Sequence, residues 1–227
     1  MNRIMHLMQF ADSAFPVGTF SFSNGLETAS CEGVVRDASS LERYTRVVMK
    51  QAAHTDGVAA LATYRAVASN DYDAVVETDR ALMQMKLNDE ARLMSTRMGK
   101  KLAEMAVRLF PDSEMLRHWL VDVKTAFTPG CYAVAQGIIF ALEGLDDMML
   151  FAAHQYGVMN MVLSAALRCL RVSHYDTQQI MFELGEEVPT MYERVCCMTL
   201  EDMNMFAPEM DVLASLHERG WMRMFMS

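Results

Sequence analysis

The sequence is short of the features that mark secreted, nucleic-acid-binding and most catalytic chains. Its five cysteines, Cys31, Cys131, Cys169, Cys196 and Cys197, are odd in number and include no CxxC pair. That excludes a disulfide framework and a zinc ribbon, and it points to a reducing compartment. Glycine (11) and proline (5) are sparse in 227 residues, which excludes collagen-like and low-complexity chains. Positive charge is in deficit: 20 Lys and Arg against 29 Asp and Glu give a formal charge of −9. Non-specific attachment to nucleic acid or anionic lipid is therefore disfavoured, and cationic or protein partners are favoured. The start, Met1 to Phe10, is broken by His6 and Gln9 and has no secretory apolar core, so a cytoplasmic protein is expected.

Motifs for common chemistry are missing as well. Gly99-Lys100-Lys101 has neither the upstream glycine nor the hydroxyl of a phosphate loop, so nucleotide hydrolysis by this chain alone is not expected. No Glu-x-x-His pair suits a helical di-iron site; Glu114 and His118 are four apart, and His217-Glu218 lacks the second His of a zinc protease. No nucleophile elbow occurs, and the six histidines are scattered. What remains on the catalytic side is a buried polar site built by the fold around His154 and Asn160, kept as an alternative. One long uncharged stretch, Met148 to Leu167, reaches the roughly 20 residues needed to cross a bilayer. Its His154, Gln155, Asn160 and Ser164 would each need a partner in hydrocarbon, so a central buried helix is the better reading.

What the sequence does have is helical periodicity and hydrophobic bulk. Hydrophobic residues make up 52%, enough for a full core in one domain spanning 1–227. From Glu90 to Phe110, Met94, Met98, Leu102, Met105, Ala106 and Leu109 recur at spacings of three or four, with Arg92, Lys100, Lys101 and Arg108 elsewhere on the wheel. No run alternates long enough for a sheet, so the expected fold is all-α, with about eight to ten helices. Ser39 with Glu42 and Thr190 with Glu193 fit capping boxes. Pro129 and Pro208 fit first helical positions, and Gly144 and Gly185 fit helix ends. Methionine, at 23 residues, has three readings: core filling, an adaptable face that binds amphipathic helices, or soft ligands for Cu(I). Met203-x-Met205 and Met222-x-Met224-x-Met226 could chelate only in extended chain, because residues two apart on a helix diverge.

One segment stands apart from this helical pattern. Phe15 to Gly25 sets Pro16, Gly18, Gly25 and small polar residues among three phenylalanines, a turn-rich loop that packing alone could explain. In full, Leu7-Met8-Gln9-Phe10-Ala11-Asp12-Ser13-Ala14-Phe15-Pro16-Val17-Gly18-Thr19-Phe20-Ser21-Phe22-Ser23-Asn24-Gly25-Leu26-Glu27 resembles the signature LLQLxDSxxPxGxFSxSxGLE of the UreF family of urease accessory proteins. Further resemblances follow at Arg97-Met98-Gly99-Lys100-Lys101-Leu102, from Val158 to Arg168, at Gln178-Gln179, and from Pro208 to Ser227 with its HExxxxRLFRS-like close. The chain departs from the pattern at Arg171-Val172-Ser173-His174, at Cys131 before Tyr132-Ala133-Val134, and at Met226, where arginine is usual.

The resemblance implies an all-α, dimeric, non-catalytic scaffold that binds UreD (also called UreH), recruits the GTPase UreG, and serves nickel insertion into the urease apoprotein. Nickel is then cargo in transit, GTP belongs to UreG, and no cofactor is tightly bound. The implied contact residues are Pro16, Gly18, Phe20, Ser21, Ser23, Gly25 and Glu27 in the signature loop. At the end of the chain they are His217, Glu218, Trp221, Arg223, Met224 and Phe225. Glu27 is the candidate for a transient nickel contact, with helix capping or ion pairing as the competing role. The tail at 221–227 is expected to be mobile in the free protein and to order against UreD, Trp221, Met224 and Phe225 sharing one face if it is helical.

Overall fold

A computed structural model describes residues 2–12, 14–218 and 224–225. It is all-α, with no strand among the described residues. The helices run α1 Asn2–Ala11, α2 Leu26–Cys31, α3 Ala38–Ala52, α4 Val58–Ala68, α5 Tyr72–Gln84, α6 Asp89–Leu109 and α7 Glu114–Lys124. They continue with α8 Tyr132–Glu143, α9 Asp147–Cys169, α10 His174–Gly185, α11 Val188–Val195 and α12 Pro208–Glu218. The count exceeds the expected eight to ten because α2 and α11 are too short to show a period, and because α3 and α4 join through one widened π turn, Ala53–Gly57.

α8 lies at the centre, with every residue from Ala133 to Phe140 buried, packed between α4 and α6 and against α9. The uncharged stretch forms the interior of α9, whose Leu150, Phe151, Val162, Ala165 and Ala166 are fully buried. No helix among the described residues is long and apolar enough to cross a membrane. α6 follows its predicted wheel through its middle, where Met98, Leu102 and Ala106 are buried and Arg92, Lys100, Lys101 and Arg108 are exposed; Met94 and Met105 are half-buried, and Leu109, expected on the apolar face, is exposed at the last turn.

Several predicted boundaries move, each for a local reason. α3 is capped by Asp37, whose carboxylate accepts from the Ser40 N–H at 2.8 Å while the Ser40 hydroxyl accepts from the Asp37 N–H at 3.0 Å. Ser39 is therefore already helical, and Glu42 pairs with Arg46 at 2.6 Å instead. Pro189 lies in the first turn of α11 and starts it ahead of Thr190. Gly144 does end its helix in the left-handed conformation, at φ +69, and Pro208 does open α12. Gly185 instead stays within α10, and the chain passes through Glu186 into α11.

Pro129 lies outside any helix because a buried carboxylate claims its neighbours. Asp79 of α5, fully buried, accepts from the Thr128 hydroxyl, the Gly130 N–H and the Cys131 N–H, all at 2.8 Å. Cys131 has no side-chain cap of its own, so Asp79 supplies negative charge at the amide-rich start of α8 from another helix. α6 seals this loop from the other side, since a Cβ on Gly99 would fall 2.1 Å from the Gly130 carbonyl oxygen. That close approach accounts for a glycine in the middle of a long helix.

Replacing Asp79 with Ala strands three donors in a dry interior and is expected to cost at least about 3 kcal/mol. Urea denaturation checks it; a loss under about 1 kcal/mol would show that water takes over the three bonds.

Candidate functional site

The loop between α1 and α2 builds itself from short-range bonds. The Asp12 carboxylate accepts from the Ala14 N–H at 2.9 Å, and its carbonyl accepts from the Phe15 N–H at 3.0 Å. Gly18, at φ +89, leads into a single 3-10 turn over Thr19–Ser21. Asn24, at φ +52, and Gly25, at φ +76, then reverse the chain into α2. Left-handed backbone is open to glycine and strained by about 1–2 kcal/mol for most other residues. The Tyr44 hydroxyl of α3 fixes this corner by donating to the Asn24 carbonyl at 2.6 Å.

The loop is part wall, part surface. Val17, Phe22, Ser23 and Gly25 are buried, Ser21 is half-buried, and Pro16 and Gly18 are exposed. Of the predicted loop residues, Ser23 and Gly25 therefore face the interior rather than a partner. The side chains of Phe20 and Glu218, and all of Trp221 and Arg223, lie outside the described residues, as does Met226.

The loop's last residue organises the other end of the chain. Glu27 stands in the first turn of α2. Its carboxylate accepts from His217 Nε2 of α12 at 2.7 Å, from the Met224 N–H at 2.8 Å and from the Phe225 N–H at 3.2 Å. The second ring nitrogen of His217, Nδ1, lies 3.1 Å from the Glu90 carboxylate of α6. His217 and Glu90 are 4% and 5% exposed, so the imidazole is clamped between two acids in a nearly dry site. Burial pushes the Glu27 carboxyl up, but the Met224 amide, His217 and the Phe225 amide together hold it below its ordinary value of 4.5. Phe225 is buried, with the Arg168 guanidinium of α9 stacked on its ring at 4.0 Å, whereas Met224 remains exposed.

This geometry bears on the expected tail at two residues, Met224 and Phe225; the rest of 221–227 lies outside the described residues. At Met224 and Phe225 the segment docks on the chain's own α2 and α9, and it does so as a bend rather than a helix. An aromatic ring and two amides that find a carboxylate gain enough to order a short piece that could not hold itself as a helix. His217 and Glu27, expected at a partner surface, are engaged with each other.

Beneath the loop and α12 lies a cavity of about 170 Å³. Phe22, Met94, Met98 and Met161 form its apolar wall, and Asp56, Lys86 and His154 its polar end. Asp56, carried on the π turn, pairs with Lys86 at 2.5 Å. Burial raises its pKa, but Lys86, His154 and Thr55 together hold the group below the usual carboxylate range. His154 Nδ1 bonds Gln136 Oε1 at 2.8 Å, and burial lowers its pKa, favouring the neutral ring. Asn160 also lines the cavity. No group of three or more His, Cys, Asp or Glu suited to a metal occurs among the described residues.

Comparison with known proteins bears on what this arrangement serves. The UreF family model matches residues 35–185. The chain is 45% identical over 224 residues to urease accessory protein UreF 2 of Brucella canis, an alignment covering 99% of this chain and 92% of that protein. It is 41% identical over 222 residues to urease accessory protein UreF of Yersinia enterocolitica, covering 98% and 97%.

The chain belongs to the UreF family. It is a urease accessory protein by that membership, and relatives of this similarity carry the name of an accessory protein rather than of an enzyme. The signature loop precedes the matched 35–185 but falls within the near full-length alignments. One departure from the UreF pattern has structural work: Ser173 caps α10 in a reciprocal box with Asp176. At Cys131 only the backbone N–H, common to any non-proline residue, donates to Asp79.

Sequence reading missed Glu90, Asp56 and Lys86. Glu90 entered only as the first residue of the amphipathic segment to Phe110, and nothing local tells that His217, far along the chain, faces it. The π turn that carries Asp56 has no sequence mark.

Gly25 and Gly18 separate strain from space. A Cβ at Gly25 would lie 3.1 Å from the Tyr44 hydroxyl and 3.4 Å from the Ala214 amide nitrogen, whereas none would meet anything within 4 Å at Gly18. Gly18→Ala is expected to cost about 1–2 kcal/mol and Gly25→Ala about 1–2 kcal/mol more. Denaturation midpoints decide it; equal losses would place the whole effect in backbone strain.

Proposed function

We propose that this chain is a non-enzymatic scaffold of urease maturation that acts in the cytoplasm as a homodimer. In this reading it binds UreD (UreH), recruits the GTPase UreG, and joins the urease apoprotein through that complex. Nickel passes as cargo, and GTP is the ligand of UreG. Family membership and relatives named as urease accessory proteins support the role in maturation. The cysteine pattern supports a reducing compartment.

One observation carries the reading further. The signature loop and the C-terminal segment are tied through a single carboxylate, Glu27. A partner that takes hold of residues 219–227 must act on the same carboxylate that ends the loop. Exposed Met224 beside buried Phe225 offers an adaptable apolar contact at that junction. Because Glu27 is already engaged, a nickel contact there requires the segment to lift away.

Co-expression with UreD and UreG followed by size exclusion tests the proposal. The full chain is expected to co-elute with both. A chain ending at residue 218 is expected to lose about 2–4 kcal/mol of stability, from Phe225 and its cation contact, and to capture no UreD. Unchanged UreD capture would reduce the segment to internal packing.

A further inference from the structure

α11 ends in a turn that sets two thiols side by side. The Met198 N–H donates to the Val195 carbonyl at 3.0 Å, placing Cys196 and Cys197 at the central positions. Arg65 of α4 braces the same turn, its guanidinium donating to the carbonyls of Cys196 at 2.9 Å and Met198 at 3.0 Å. On the far side, Thr199 and Asp202 close the next turn reciprocally. The backbone that carries both cysteines is therefore fixed before any ligand arrives.

The two sulfurs stand 3.8 Å apart, with Cys197 exposed and Cys196 partly so. That spacing has a chemical meaning. Two thiolates bound tetrahedrally at a metal–sulfur distance of about 2.3 Å lie about 3.8 Å from each other. We propose that Cys196 and Cys197 form a two-thiolate chelating site for a thiophilic, four-coordinate d10 cation of the zinc and cadmium class, with solvent completing its coordination.

The surroundings favour a cation. Asp147 of α9, which accepts from the Tyr192 hydroxyl at 2.9 Å, contributes negative charge near the pair. The hydrogen bond between Cys196 and Cys197, then burial, then the charges of Cys197 and Asp147 hold the Cys196 thiol above its ordinary range. A bound divalent ion removes that penalty by neutralising both sulfurs. Binding forms two metal–sulfur bonds and releases two thiol protons to solvent, with no change of oxidation state. Closing the second bond is intramolecular, which strengthens the pair over two separate thiols. With two protein ligands the site stays open, so it exchanges its ion rather than serving as a structural centre. The site stands apart from the Glu27 clasp and does not depend on the proposed route of nickel.

Cadmium titration of the reduced, full-length protein reads the thiolate-to-cadmium absorption in the ultraviolet. Saturation is expected at one equivalent, with two protons released and with zinc competing. Cys196→Ser and Cys197→Ser are each expected to weaken binding at least about tenfold, the double variant to abolish the band, and Cys31→Ser to leave it unchanged. Circular dichroism of each variant checks that the helices are intact. Absence of the band in the parent, its survival in the double variant, or single variants that bind like the parent would each overturn the proposal. Phenylarsine oxide gives a reading on the unmutated chain: it condenses with two thiols and loses one water. The bridged adduct is expected to map to Cys196 and Cys197, and a map to any other pair contradicts the assignment.

Discussion

The Glu27 carboxylate is the point on which the arrangement of both chain ends depends. It stands at the start of a six-residue helix too short to persist alone, and this part-buried acid is offered three donors. His217 and two backbone amides converge on it, and Glu90 holds the far side of the same imidazole. Removing the carboxylate would leave a buried imidazole facing one acid only and two amides facing none. That is costlier than losing a surface ion pair, because few of these groups can turn to water. The loop, α12 and the C-terminal segment therefore hold their relative positions through one shared acceptor, and α6 joins them through Glu90 on the far side of His217.

A second layer of polar groups lies beneath. The π turn between α3 and α4 carries Asp56 into contact with Lys86, and His154 bonded to Gln136 completes the polar end of the cavity. α12 supplies Met210, Asp211 and Ala214 to the same cavity. Asp211 accepts from the Asn88 side chain at 2.7 Å, so α12 is held at both its ends, by Asn88 near the start and by Glu27 and Glu90 near the finish. Whatever moves the C-terminal segment acts on a cavity wall as well as on the loop.

The all-α architecture was legible because most helices show their wheel: α6 through Ala106, and α9 through its uncharged interior. The loop was legible as an exception, since proline and left-handed glycine positions interrupt that period. What was not legible depends on long-range encounters. Asp79 caps α8 from α5, so Pro129, plausible as a helix start from its neighbours, stays in a loop. Met224 and Phe225, in a tail read as too short to order, are held by Glu27 and Arg168, which no local pattern reveals. Glu27 itself was singled out, with ion pairing weighed beside a nickel contact, and in the fold its carboxylate accepts from His217 and two backbone amides.

Amide hydrogen exchange at Met224 and Phe225 tests the central claim most directly, because it reads the two donors themselves. In the parent chain both amides are predicted to exchange far more slowly than an unfolded peptide of the same sequence, and in Glu27→Ala to exchange at that peptide's rate while the interior of α8 stays protected. Parent amides that exchange like the free peptide, or protection that survives in Glu27→Ala, would contradict the account.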